Sequence, residues 1–153
     1  MIQSCCVRRK SSSIQEQYLL SRIGGSGDFR ILDLSDLNLH ILPDIIVRNS
    51  QKIEHLILDE NELEDNFLEN CTFSSLKTLS VNSNKITNIG VFLHQISWRC
   101  PNLVFLSLIG NPGWPHPIIG NNVELYKTVA QTVTRFLPGL QFLDSMPTSV
   151  QET

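Results

Sequence analysis

Histidine is the side chain best suited to move a proton near neutral pH, and cysteine the one best suited to attack or to hold a metal. This chain carries His40, His55, His94 and His116, with Cys5, Cys6, Cys71 and Cys100. Their placement argues against both uses. The histidines are scattered, no Ser-His-Asp set or glycine-rich phosphate loop can be assembled, and the cysteine spacing matches no zinc arrangement. Cys71 and Cys100 each stand just before a leucine-bearing segment, where a small buried hydrophobe is the natural role. We therefore expect no enzymatic activity, no cofactor and no metal.

Cys5 and Cys6 stand beside Arg8-Arg9-Lys10, which suggests different chemistry. Paired cysteines near basic residues suit S-acylation; two acyl chains anchor stably, and the basic cluster would hold anionic lipid. That would give peripheral membrane association through the N-terminus. Ile2 after Met1 excludes N-myristoylation. A plain disordered tail over residues 1–12 is the simpler reading and the preferred one.

With 153 residues, 41% hydrophobic and 18% charged, the chain can bury one core. A net charge of −3 supplies no global reason to bind nucleic acid. No apolar run reaches the roughly 18–20 residues of a membrane span, and no signal-peptide core opens the sequence. The expectation is a cytoplasmic monomer with reduced cysteines, in which the sequon Asn70-Cys71-Thr72 carries little weight.

The elements that would position any site come from a repeat. Phe29-Arg-Ile-Leu32-Asp-Leu34-Ser-Asp-Leu37-Asn-Leu39 aligns with Ile53-Glu-His-Leu56-Ile-Leu58-Asp-Glu-Asn61-Glu-Leu63. Leu76-Lys-Thr-Leu79-Ser-Val81-Asn-Ser-Asn84-Lys-Ile86 and Leu103-Val-Phe-Leu106-Ser-Leu108-Ile-Gly-Asn111 continue the series. The first positions 29, 53, 76 and 103 are separated by 24, 23 and 27 residues, and a shorter fifth copy begins at Leu140. This is the leucine-rich repeat pattern. Each copy predicts a short strand with inward leucines, and an asparagine that satisfies backbone groups where the chain turns away. One copy cannot bury its own apolar face, so copies must stack. The fold class expected is α/β: a short leucine-rich repeat solenoid of four to five repeats, with a parallel concave sheet and capping helices at both ends.

Between strands, Leu42, Ile45, Ile46 and Val47, then Phe67, Leu68 and Phe73, then Phe92, Leu93 and Ile96 should fill the convex side. The last group has helical spacing within residues 89–98. Ser13-Ile-Gln-Glu16 fits a capping box opening an N-terminal helix over 13–23, with Ile14, Tyr18, Leu19 and Ile23 inward and Gly24-Gly25 as its stop. Asn121-Asn-Val-Glu124 similarly opens a C-terminal helix with Tyr126, Val129, Val133, Phe136 and Leu137 along one stripe. The organisation expected is a tail (1–12), an N-terminal capping segment (13–27), repeats (28–120), a C-terminal cap (121–145) and a tail (146–153). Pro112, Pro115 and Pro117 should keep the loop before the cap extended, with Trp114 packed on the cap's rim.

Cys100-Pro-Asn-Leu103, Leu106-Ser-Leu108-Ile-Gly-Asn111-Pro112, the helix bearing Tyr126-Lys127, and Leu137-Pro-Gly-Leu140-Gln-Phe-Leu143-Asp144 together resemble the small intracellular C-terminal cap of leucine-rich repeat proteins. The chain looks most like the leucine-rich melanocyte differentiation-associated family, over about residues 29–145. That resemblance implies a non-enzymatic adapter in membrane traffic to lysosome-related organelles, including melanosomes, with a Rab-family small GTPase as partner. It also implies recruitment to endosomal or lysosome-related membranes. The same cap occurs in a spliceosomal ribonucleoprotein subunit and a phosphatase regulator, so a nuclear assembly subunit and a phosphatase regulatory subunit are the alternatives.

The non-leucine strand positions should form the concave face, in rows Ile31–His55–Thr78–Phe105, Asp33–Ile57–Ser80–Ser107, Ser35–Asp59–Asn82–Ile109 and Asp36–Glu60–Ser83–Gly110. Asp33, Asp36, Asp59 and Glu60 gather acid at one end, while Ile57, Phe105 and Ile109 are apolar where polar residues would serve. With His55, these are the expected partner-binding residues, because an apolar patch beside a charged rim is the usual anatomy of a protein interface. The plainer reading is that the acids only solubilise the sheet.

Overall fold

A computed structural model describes residues 17–19, 21, 28–116 and 122–148. Each repeat's Leu-x-Leu stretch forms a short strand because its residues alternate between two faces, one of them able to leave water. The strands are β1 (Ile31–Asp33), β2 (His55–Ile57), β3 (Thr78–Ser80), β4 (Phe105–Ser107) and β5 (Phe142–Leu143). They lie side by side in chain order, all parallel, and β6 (Met146–Pro147) closes antiparallel on β5. The result is an α/β protein with a six-stranded, mostly parallel sheet.

Register follows the repeat. Leu32, Leu56, Leu79, Leu106 and Leu143 sit opposite one another and are all buried. After each of the first four strands the chain turns through a left-handed residue at the same repeat position: Asp36, Glu60, Ser83 and Gly110, with φ of 56°, 57°, 53° and 83°. Only Gly110 meets a steric demand there as well, since a Cβ would lie 2.9 Å from the Ser83 hydroxyl.

Asparagine holds successive turns together. The Asn61 carbonyl oxygen accepts from the Leu37 and Leu39 amides, and its amide nitrogen donates to the carbonyls of Leu34, Leu58 and Asp59. Asn84 does the same from Leu63 to Leu58, Val81 and Asn82. Asn111 links Ile86 to Val81 and Leu108. All three are buried, so each hydrogen bond replaces one that water cannot supply.

The leucines' other side is covered by α1 (Asp44–Arg48), a 3-10 turn (Ser50–Lys52), α2 (Ile89–Arg99) and α3 (Val123–Phe136). Leu42, Ile45, Ile46, Leu68, Phe73, Phe92, Leu93 and Ile96 are buried here as expected, with Val47 and Phe67 partly so. Helix α2 starts where the Asn88 side chain accepts from the Val91 amide, and Asp65 fixes that start by accepting from the amides of Thr87 and Asn88.

Four expectations need correcting. The N-cap of α3 is Asn122, whose side chain accepts from the Leu125 amide; Asn121 lies outside the described residues. Phe136 is exposed rather than inward, and Ala130 takes the buried place between Tyr126 and Val133. At the N-terminus, residues 17–19 and 21 are helical and Leu19 is fully buried, but Tyr18 faces solvent. Ser13, Ile14, Glu16, Ile23, Gly24 and Gly25 lie outside the described residues. Finally, the sheet runs on into the expected tail, because Asp144 and Ser145 both adopt positive φ and make the tight turn into β6.

The loop after β4 is packed rather than merely extended. Gly113 donates its amide to the Ile86 carbonyl at 2.9 Å. A Cβ at Gly113 would lie 2.1 Å from the Thr87 carbonyl oxygen and 2.6 Å from its carbon. Backbone cannot yield there cheaply, so Gly113→Ala should cost about 1–3 kcal/mol, the usual penalty of overpacking. An unchanged midpoint in thermal unfolding would contradict this packing.

Candidate functional site

The strand faces opposite the leucines form an open surface. Along its first row stand Ile31, His55, Thr78, Phe105 and Phe142, paired strand to strand; along its second stand Asp33, Ile57, Ser80 and Ser107. The first two of the four rows read from the sequence match this register. Ile31 is 71% exposed and Phe142 40%, while Ile57, Phe105 and Ile109 are half-buried. Phe142 is not among the concave-face residues expected from the sequence. The signal for Phe142 was present, because the short fifth copy puts it at the same position as Phe105.

The face is not uniformly free. Asp59 is half-buried, and its carboxylate accepts from the Ser80 hydroxyl at 2.7 Å and the Asn82 amide at 2.9 Å. The Asn82 side-chain oxygen accepts from the Ser107 hydroxyl and the Ile109 amide, both at 2.8 Å. The Ser107 hydroxyl also lies 3.5 Å from Asp144. A polar spine thus crosses the sheet beneath the surface side chains. It makes Asp59 a structural acceptor first and buries Ser80 and Ser107. Asp33 accepts from the amide and hydroxyl of Ser35. His55 is half-buried, with Nδ1 2.9 Å from the Thr78 hydroxyl, so its ring is occupied across the strands. Asp36 and Glu60 are exposed, and no ion pair among the described residues engages either.

At the far end the spine runs into a buried carboxylate that sequence reasoning missed. Asp144 accepts from the Leu108 amide at 2.7 Å, the Trp114 indole N–H at 2.5 Å and the Tyr126 hydroxyl at 3.3 Å. Trp114 is therefore core rather than rim, edge-on to Tyr126 at 5.7 Å between ring centres, and His116 also packs edge-on to that tyrosine at 5.2 Å. Burial pushes the Asp144 carboxyl above its ordinary value; the Leu108, Trp114 and Tyr126 donors and the charge of His116 pull it partly back. Burial, and then the charge of Asp144, raises the Tyr126 hydroxyl above its ordinary range.

Cys71 and Cys100 are buried free thiols. Burial lifts Cys71 to about 11 and Cys100 to about 12. A thiol raised above its unfolded value stabilises the fold below that value and loses the contribution as pH rises through the folded one. Neither cysteine should react with iodoacetamide at pH 8 unless the chain is unfolded, and stability should fall between about pH 9 and 12. Rapid native labelling of either, read by peptide mass, would contradict the burial. Cys5 and Cys6 lie outside the described residues. Among those residues no cluster of His, Cys, Asp or Glu could hold a metal, and no helix is long and apolar enough to cross a membrane.

Fold and site together define an α/β protein whose mostly parallel sheet displays an apolar and acidic face. No protein-family model matches the chain. The family likeness read from the sequence is shown by a relative from Homo sapiens, the leucine-rich melanocyte differentiation-associated protein, 35% identical over 104 residues. The match takes in 67% of this chain and 52% of the relative, so the chain spans about half the length of the curated protein it matches. Among solved structures it is similar to one of Chaetomium Mex67:Mtr2 subunits, with a TM-score of 0.55, 17% identity, and coverage of 94% of this chain and 98% of that one. At that identity the likeness concerns the fold alone.

Proposed function

We propose that the chain is a short leucine-rich repeat solenoid acting as a non-enzymatic protein–protein interaction adapter. Its concave face captures a Rab-family small GTPase and links it to the trafficking machinery of lysosome-related organelles, melanosomes among them. The observation that carries the adapter reading is the open face itself: Phe142 stands in solvent beside half-buried Phe105, Ile31 is exposed at the other end of the same row, and Ile57 and Ile109 are only half-buried. Equivalent turns at repeat spacing, bridged by Asn61, Asn84 and Asn111, support the solenoid. The likeness to a protein named for melanocyte differentiation supports the setting.

The test is affinity capture of Rab-family GTPases with the intact chain, loaded with a GTP analogue or with GDP. Phe105→Ser with Ile109→Ser should lower affinity at least about 30-fold, the ~2 kcal/mol typical of a central interface side chain. Circular dichroism should remain unchanged, because both side chains point away from the leucine core. Recovery of splicing components without a GTPase would overturn the reading.

A further inference from the structure

The face is polarised, and this constrains what can lie on it. Asp36 and Glu60 follow β1 and β2 at one corner, whereas Phe105 and Phe142 belong to β4 and β5 and Ile109 to the turn after β4. We infer that the occupant is an amphipathic helix of a partner protein, with basic side chains at one end and bulky apolar side chains at the other. This rests on the reading of the open face as a partner site.

Two physical arguments select that chemistry. First, β2, β3, β4 and β5 each pair with a strand on both sides, so their backbone groups are committed to the sheet. An extended peptide lying across them would find no backbone partner, while a helix satisfies its own. Second, Asp36 and Glu60 are neighbours without a basic partner among the described residues, so cations placed there relieve repulsion at an exposed rim. From between β1 and β2 to between β4 and β5 is three strand spacings, about 14 Å. A helix covers that crossing in about 10 residues, and a few more where it also runs along the strands from the first row to the fourth. The motif is therefore a Lys/Arg cluster roughly three turns away from a Leu/Ile/Phe/Trp cluster on the same helix face.

A random peptide library of about 20 residues per member, long enough to span the face as a helix, should be displayed against the intact chain. Enriched peptides should carry the two clusters at that separation. A selected peptide should bind at least tenfold more weakly to the Asp36→Asn, Glu60→Gln double variant, and its salt dependence should shrink. It should also lose at least tenfold on the Phe105→Ser, Ile109→Ser variant. Enrichment of acidic peptides, no enrichment, or binding indifferent to the Asp36 and Glu60 substitutions would overturn the inference. If the library result stands while GTPase capture fails, the partner's identity falls and the surface chemistry remains. If a GTPase binds but the library result fails, only this inference falls.

Discussion

Asn61→Ala should remove about 3–5 kcal/mol of folding stability, a large share of the roughly 5–15 kcal/mol that holds a domain of this size together. The reason is which groups the side chain leaves behind. Truncation strands the Leu37 and Leu39 amides and the Leu34 carbonyl, whose hydrogen bonds all run to Asn61. The Leu58 and Asp59 carbonyls keep Asn84 and the Asp36 amide respectively. Asn84→Ala should be milder, about 1–3 kcal/mol: only the Leu63 amide loses its partner, while Asn61, Asn111 and the Glu60 amide still serve the Leu58, Val81 and Asn82 carbonyls. Urea unfolding of both variants decides the matter. Equal losses, or a larger loss for Asn84, would show that the orphaned groups are not what sets the cost.

The second large effect is expected at Asp144. Asn is nearly isosteric, so no cavity forms, but its amide nitrogen must face at least one of the donors from Leu108, Trp114 and Tyr126. One buried donor left without an acceptor costs about 1–3 kcal/mol. Because these donors come from the segment after β4 and from α3, the loss should loosen the cap selectively. Trp114 reports this directly. In a Trp98→Phe background, which removes an indole that is 71% exposed, the remaining tryptophan emission should move to longer wavelength in Asp144→Asn. If emission and stability both stay put, the carboxylate does not latch the cap.

The repeat was legible in the sequence for a physical reason. A strand with one buried face and an asparagine that must reach the neighbouring turn leaves a strict positional record, and 29, 53, 76 and 103 carry it. The strand register and the first two rows of the open face followed directly. Asp144 was not legible, because nothing nearby in sequence marks it as buried. Its donors come from positions 108, 114 and 126, and only the packing of α3 on the loop brings them together. Asp59 was misread in part for the same reason: as an isolated letter it is a surface acid, but in the sheet its neighbours on β3 and the turn after it claim its oxygens. Phe136 and Tyr18 show the limit of helical spacing, which identifies a stripe but not where the neighbouring element ends.

By itself, then, the sequence determined the period, the identity of the buried leucines and bridging asparagines, and which side chains must stand on the opposite face. Those are local rules repeated at fixed intervals. Tertiary structure alone decided which acids are free to meet a partner and that Trp114, Tyr126 and Asp144 close the core. These outcomes depend on contacts between residues distant along the chain, for which no spacing rule exists.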